Sequence, residues 1–172
     1  MLFPLVPIDP VLWPFGARAT LIPATELPAP YQSLLAHTYH MTVTVEAHYG
    51  QPVDVRVMES GRDGDFYHRR IVLELAGSKR IVQYGGVRLN LTCCSAPVRA
   101  AILEEKTPLG RVLIEHNVLR RVEPTAFLTV DPGPRMMAEL GLTEAERLYG
   151  RTGVIFFDDR PAIGVVEVLA PT

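Results

Sequence analysis

Cysteine is scarce in this chain: 172 residues hold two, Cys93 and Cys94, side by side. Neighbours on an extended chain point to opposite faces, so adjacent cysteines rarely join each other. There is no spaced framework and no C-x-x-C pair, which excludes a disulfide scaffold. The two thiols read as free and buried, in a reducing, cytoplasmic compartment. Lysine is equally scarce, two residues against fifteen arginines. The formal net charge is -2 with both signs interleaved, so there is no clustered basic footprint for nucleic acid. The sequence contains no G-x-G-x-x-G, no P-loop and no G-x-S-x-G. His37, His40, His48, His68 and His116 show no ligand spacing, and each reads as structural. Neither a cofactor nor a metal is expected. No stretch approaches the roughly 20 apolar residues of a membrane span. The apolar start carries Pro4, Pro7, Pro10 and Pro14 and lacks a basic beginning, so it is not a signal peptide either. Residues 1–25 read as a proline-rich arm, packed on the domain or on the partner subunit of a homodimer. Residues 26–172 read as one domain.

What is present is an ordinary globular composition, 48% apolar and 21% charged, enough for a single core. Alternation predicts strands over residues 42–48, 53–58, 67–75, 80–84, 87–92, 117–130, 152–157 and 162–169. Residues 59–65 read as a loop and Gly85-Gly86 as a bulge. Short helices are expected over residues 29–37, 95–102 (with Ser95 as N-cap), 110–116 and 134–140, the last stopped by Gly141. The spacing of Thr143 and Glu146 suggests one more helical turn. Strands dominate and many are joined at hairpin length, while the helices cluster between them. The expectation is an α+β single domain with a largely antiparallel sheet and helices on one side.

Parity singles out two charges. In residues 67–75, Tyr67, Arg69, Ile71, Leu73 and Leu75 share a face, while His68, Arg70, Val72 and Glu74 share the other. Arg69 therefore sits among aliphatics and needs an anion, either an internal carboxylate or a ligand. In residues 162–169, Glu167 shares a face with Ile163, Val165 and Leu169. It either pairs with an arginine, Arg69 included, or accepts a hydrogen bond from a bound hydroxyl.

Four segments carry a resemblance. They are His40-Met41-Thr42, Tyr67-His68-Arg69-Arg70, Lys106-Thr107-Pro108-Leu109-Gly110-Arg111, and Leu148-Tyr149-Gly150-Arg151 followed by Val166-Glu167-Val168-Leu169-Ala170-Pro171. In order and spacing they resemble the chorismate pyruvate-lyase family, in its short stand-alone branch. The resemblance implies a sheet of about six strands. It implies a cofactor-free carbon–oxygen lyase of aromatic-acid biosynthesis that releases pyruvate from chorismate and leaves 4-hydroxybenzoate, a quinone precursor. It implies Arg69 on the ring carboxylate with backbone groups near Met41 and Leu109, Glu167 at the 4-hydroxyl, and Arg151 on the enolpyruvyl carboxylate. Arg69 and Glu167 would be the catalytic pair. Two alternatives accompany this reading. One is a lyase for a related chorismate-like acid. The other is a non-catalytic sensor domain of the same fold for a small aromatic acid. Such sensor domains of transcription regulators normally follow a helix-turn-helix, and no basic recognition helix is visible here.

Overall fold

The structure is a computed structural model and describes residues 8–14 and 16–172. Residues 1–7 of the proline-rich arm lie outside the described residues. The chain is α+β. Seven antiparallel strands form one sheet: β1 (Arg18–Ile22), β2 (Val53–Asp63), β3 (Phe66–Leu75), β4 (Ile81–Asn90), β5 (Arg120–Asp131), β6 (Leu148–Phe157) and β7 (Arg160–Leu169). Their order across the sheet is β1-β5-β6-β7-β4-β3-β2. Among the described residues five α-helices accompany it: α1 (Tyr31–Leu35), α2 (Met41–Tyr49), α3 (Ala96–Leu103), α4 (Leu109–Glu115) and α5 (Gly133–Leu140). No helix among the described residues is long and apolar enough to cross a membrane.

The hairpins follow from local chemistry. β6 and β7 are joined by Asp158-Asp159, both with positive φ, the conformation that matches strand twist in a two-residue hairpin. β2 and β3 meet at Gly64-Asp65, where Gly64 supplies φ +60°. The stretch expected as a loop at 59–65 is therefore mostly strand. Its polarity reflects a position on the sheet edge, blunted by charge and by an irregular register between Val57 and Glu59.

The largest departure from expectation is residues 42–48, which alternate like a strand yet form α2. Their buried positions, Met41, Thr42 and Val45, follow helical spacing, so packing overrides the β-branched propensity. Gly50, at φ +65°, ends the helix. Gly85-Gly86 does not interrupt β4 either. Gly86 is glycine because a Cβ there would meet the Leu12 carbonyl at 2.8 Å. Residues 143–146 form no helix.

Each face of the sheet buries a core. On the first face α1 to α4 cover two apolar clusters. One is built on Leu89, Ile102, Leu113, Ile163 and Val165, the other on Leu35, Met41, Val45, Ile71 and Leu73. The opposite face packs Tyr84, Val130, Val166 and Val168 against Met136 and Leu140 of α5 and against Leu12. The Tyr84 hydroxyl donates to the Leu12 carbonyl, and Trp13 stands edge-on to the Tyr84 ring. Residues 8–14 are thus seated on the sheet, and β1 extends it beside β5.

Arg70 faces α5. Sequence parity assigns it to a polar face, but that face is covered and Arg70 is buried, with an exposure of 3%. It donates to Glu139 of α5 at 2.8 and 3.0 Å and to Glu59 at 2.9 Å. Arg135 also reaches both carboxylates, Glu139 at 3.2 Å and Glu59 at 3.4 Å, so loss of Arg70 leaves them partly paired and costs less than a fully stranded charge. Arg70→Met is therefore expected to destabilise the protein by about 1–3 kcal/mol, and Arg70→Met with Glu139→Leu to recover part of the loss. Chemical denaturation of both variants checks this; equal stability of the single variant and wild type would disprove it.

Candidate functional site

The two apolar clusters on the first face are separated by a cavity. Its floor is β3, β4 and β7, and its roof is the start of α2 and of α4. The space open to the centres of water-sized molecules is about 50 Å³. One water needs roughly 10–15 Å³ on that measure, so the cavity has room for about four, the bulk of a small organic acid.

Arg69 dominates the cavity wall. It is 1% exposed, and among the described residues it makes no ion pair. Its Nε and Nη1 have no hydrogen-bond partner, and its Nη2 has one long contact, 3.5 Å, to the Thr107 carbonyl. The guanidinium has lost water and is compensated only in part: the Glu105 carboxylate, held below the usual carboxylate range by Ser60 and by the Tyr67 hydroxyl that donates to it, is also near enough to feel Arg69. The roof adds to the positive field. Helix α2 begins at the cavity, and its first intrahelical bond is Thr44 N–H to the His40 carbonyl. The amides ahead of Thr44 are therefore unpaired within the helix and lie at the positive end of its dipole. Gly110 lets α4 approach α2 closely: a Cβ there would meet His40 and Thr42 at 3.0–3.2 Å.

Glu167 also lines the cavity, but it does not pair with Arg69. Arg151 Nε donates to its Oε2 at 2.7 Å. The remaining nitrogens of Arg151 donate to the carbonyls of Leu35 (3.1 Å), His37 (2.8 Å) and Tyr39 (3.0 Å). At 1% exposure Arg151 has no free group and is not part of the cavity wall. Of the five residues singled out from the sequence, Met41, Arg69, Leu109 and Glu167 meet at one cavity, and Arg151 acts behind it as a strut.

Three polar lining residues, His40, Thr42 and Gln83, were not assigned to the site from the sequence. His40 is also the wall shared with an open cleft lined by Tyr39, Val43, Ile114 and Arg120. Its Nε2 accepts from Arg120 Nε. Burial pushes the imidazole down to about 4, with Arg120 and Arg151 adding to the effect. His37 is lowered too, by burial and then by Arg151. Both rings stay neutral near pH 7, so neither supplies an acid there.

No family model and no curated protein matches the sequence. Solved structures do share its fold. PhnF from Mycobacterium smegmatis superposes with a TM-score of 0.58 at 16% identity, over 76% of this chain and 63% of that one. The effector domain of the same PhnF gives 0.58 at 17% identity, over 76% and 87%. The ligand-binding domain of a putative GntR-family transcriptional regulator from Bordetella bronchiseptica gives 0.53 at 17%, over 69% and 85%. The chain thus spans less than two thirds of the whole PhnF structure and most of its effector domain. The expectation of a chorismate lyase in 4-hydroxybenzoate biosynthesis is corrected by this finding, since the shared shape is that of regulator ligand-binding domains.

Two outcomes follow. Arg69→Met removes an unpaired buried charge and is expected to raise the apo melting temperature by a few degrees, about 1 kcal/mol or more. A fall would show that Arg69 has an internal structural role. Acid is expected to weaken the fold through His40 and His37. Their unfolded forms take up a proton near 6.5 while the folded rings stay neutral. Their contribution is therefore complete above that value and is lost as pH falls towards about 4. Melting curves at about pH 7 and pH 5.5 should show a smaller drop for His40→Gln than for wild type.

Proposed function

We propose that this chain is a non-catalytic binding domain for a small organic acid, most simply an aromatic one, and acts as a sensor of that acid. The observation that carries the reading is the buried Arg69 guanidinium, with Nε and Nη1 unpartnered in a cavity otherwise walled by Val55, Ile71, Leu73, Val87, Ile155 and Val165. A carboxylate matches the two-pronged donor edge of a guanidinium. The aliphatic walls fit the flat body of a small acid. Binding rather than reaction is favoured because the proton-transfer candidates are engaged: Glu167 with Arg151 and His40 with Arg120.

The same geometry supplies a way to report occupancy. The anion would tie Arg69 on β3 to the first turn of α2 and the start of α4, three elements that all line the cavity. An empty cavity leaves this roof without its charge-assisted contacts, and a filled one adds them. That is the type of differential contact an effector domain needs. The partner that would read the change belongs to the same proposal, by analogy with the regulators that share the fold.

Calorimetric titration with 4-hydroxybenzoate tests the reading. Wild type should bind, and Arg69→Ala should lose roughly 2–5 kcal/mol of affinity, while Arg70→Met, on the opposite face, should keep it. Chorismate incubated with the protein should remain unchanged. Arg69-independent binding, or release of pyruvate, would overturn the proposal.

A further inference from the structure

A carboxylate lies close to Arg69 and stops short of pairing with it. Glu105 belongs to the link between α3 and α4. Its side chain accepts from the Tyr67 hydroxyl. Tyr67 and Arg69 are alternate residues of β3, on the face that α3 and α4 cover. Further along the same link, the Thr107 carbonyl makes the long contact to Arg69 Nη2, and Pro108, Leu109 and Gly110 then line the cavity. The link is thus fastened to β3 at Tyr67 and again at Arg69, and it leads straight into the cavity roof. Yet Glu105 forms no ion pair with Arg69, whose Nε and Nη1 stay without a partner.

Three features hold the carboxylate at this standoff. The Tyr67 ring is buried, at 3% exposure, so the donor cannot follow Glu105 elsewhere. Burial and the hydrogen bond to Glu105 push the Tyr67 hydroxyl up to about 12, and it remains a donor at neutral pH. Ser60, which lies opposite Arg69 in the register of β2 and β3, and Tyr67 keep the Glu105 carboxyl below the usual range, with Arg69 adding to them, so the group is ionised. The backbone of Glu105 has φ +59°, a left-handed conformation that glycine or asparagine adopts more readily than glutamate. The turn therefore does not account for a glutamate here. What the glutamate adds is a fixed negative charge beside a buried guanidinium.

We propose that Glu105 is a built-in competitor for the Arg69 site: its charge holds down the affinity for an incoming carboxylate and so sets the concentration at which the domain responds. This rests on the anion-binding reading of Arg69 and adds its regulation. An external anion reaching Nε and Nη1 has to settle beside the Glu105 carboxylate, and like charges that share one cation repel. Salt screens such a repulsion weakly where the cation is buried. In the empty domain the same carboxylate lowers the cost of burying Arg69. Glu105 thus acts with opposite signs on the two states, stabilising the empty one and disfavouring the filled one. A carboxylate that only holds the link in shape would support both.

The test uses Glu105→Gln, which keeps the shape and removes the charge, and Glu105→Asn, which also suits the left-handed backbone. Calorimetric titration with benzoate and with 4-hydroxybenzoate reads the affinity. Both variants are expected to bind these acids roughly fivefold or more tightly than wild type. Melting curves without ligand supply a second reading. Glu105→Gln should lower the melting temperature more in wild type than in an Arg69→Met background, where the charge it compensates is gone. If wild type binds and neither folded variant binds more tightly, the competitor is overturned and the anion site at Arg69 stands. Binding by the variants but not by wild type supports the proposal in its strongest form. An equal loss of apo stability in the two backgrounds overturns it. If wild type and both variants bind neither acid, the anion reading falls and the competitor falls with it.

Discussion

The guanidinium of Arg151 organises everything around the cavity. The link between α1 and α2 is irregular backbone, and its carbonyls at Leu35, His37 and Tyr39 turn inward. Buried carbonyls need donors, and a rigid guanidinium with five N–H groups is the side chain best able to serve several at once. By gathering them, Arg151 sets where α2 starts and therefore where its unpaired amides point. The fourth partner of Arg151 is Glu167, and this has a second effect. The Glu167 carboxylate is thereby held on Arg151 rather than on Arg69.

The two faces of the sheet treat adjacent arginines differently for the same reason. Arg70 has α5 above it, and Glu139 arrives on that helix to complete a buried pair. Arg69 has α2 and α4 above it, and both present backbone N–H groups at their starts rather than a carboxylate. Packing of the first face thus leaves polar groups unpaired around the cavity, Arg69 Nε and Nη1 and Gln83 Oε1 among the described residues. The two apolar clusters that flank the cavity fail to close over it because their meeting point is lined with these polar groups.

Much of this was legible in sequence, and the misses have physical causes. Strand alternation in β3 and β7 separates Arg69 from Arg70 and isolates Glu167, because both strands hold their register over the stretch concerned. The antiparallel α+β class is readable from hairpin-length connections. Alternation misleads at α2, where a β-branched, two-periodic string is held helical by burial of Met41, Thr42 and Val45. It also misses Gln83, because the extra residue at Val82 breaks parity just before it: Val82 packs on the same side as the cavity, and Tyr84 on the other. Arg151 is a case where chemistry was readable and its partners were not, since three of them are backbone carbonyls from a distant loop. The lyase reading failed for a related reason. A motif specifies which charges are present, but only the folded chain shows which of them remain unpaired.

β4 carries two incompatible duties on alternate residues. Gln83 and Gly85 shape the cavity, while Tyr84 and Gly86 hold the Leu12 segment on the opposite face through a hydroxyl and a bare backbone. Insertion or deletion of one residue in this strand exchanges the two sets. Tyrosine would then fill the cavity, and glutamine would face the segment it has no means to hold. The length of this strand between Ile81 and Val87 is consequently under a stricter constraint than any single identity within it, and descendants of this chain are free to vary its side chains long before they are free to vary its count.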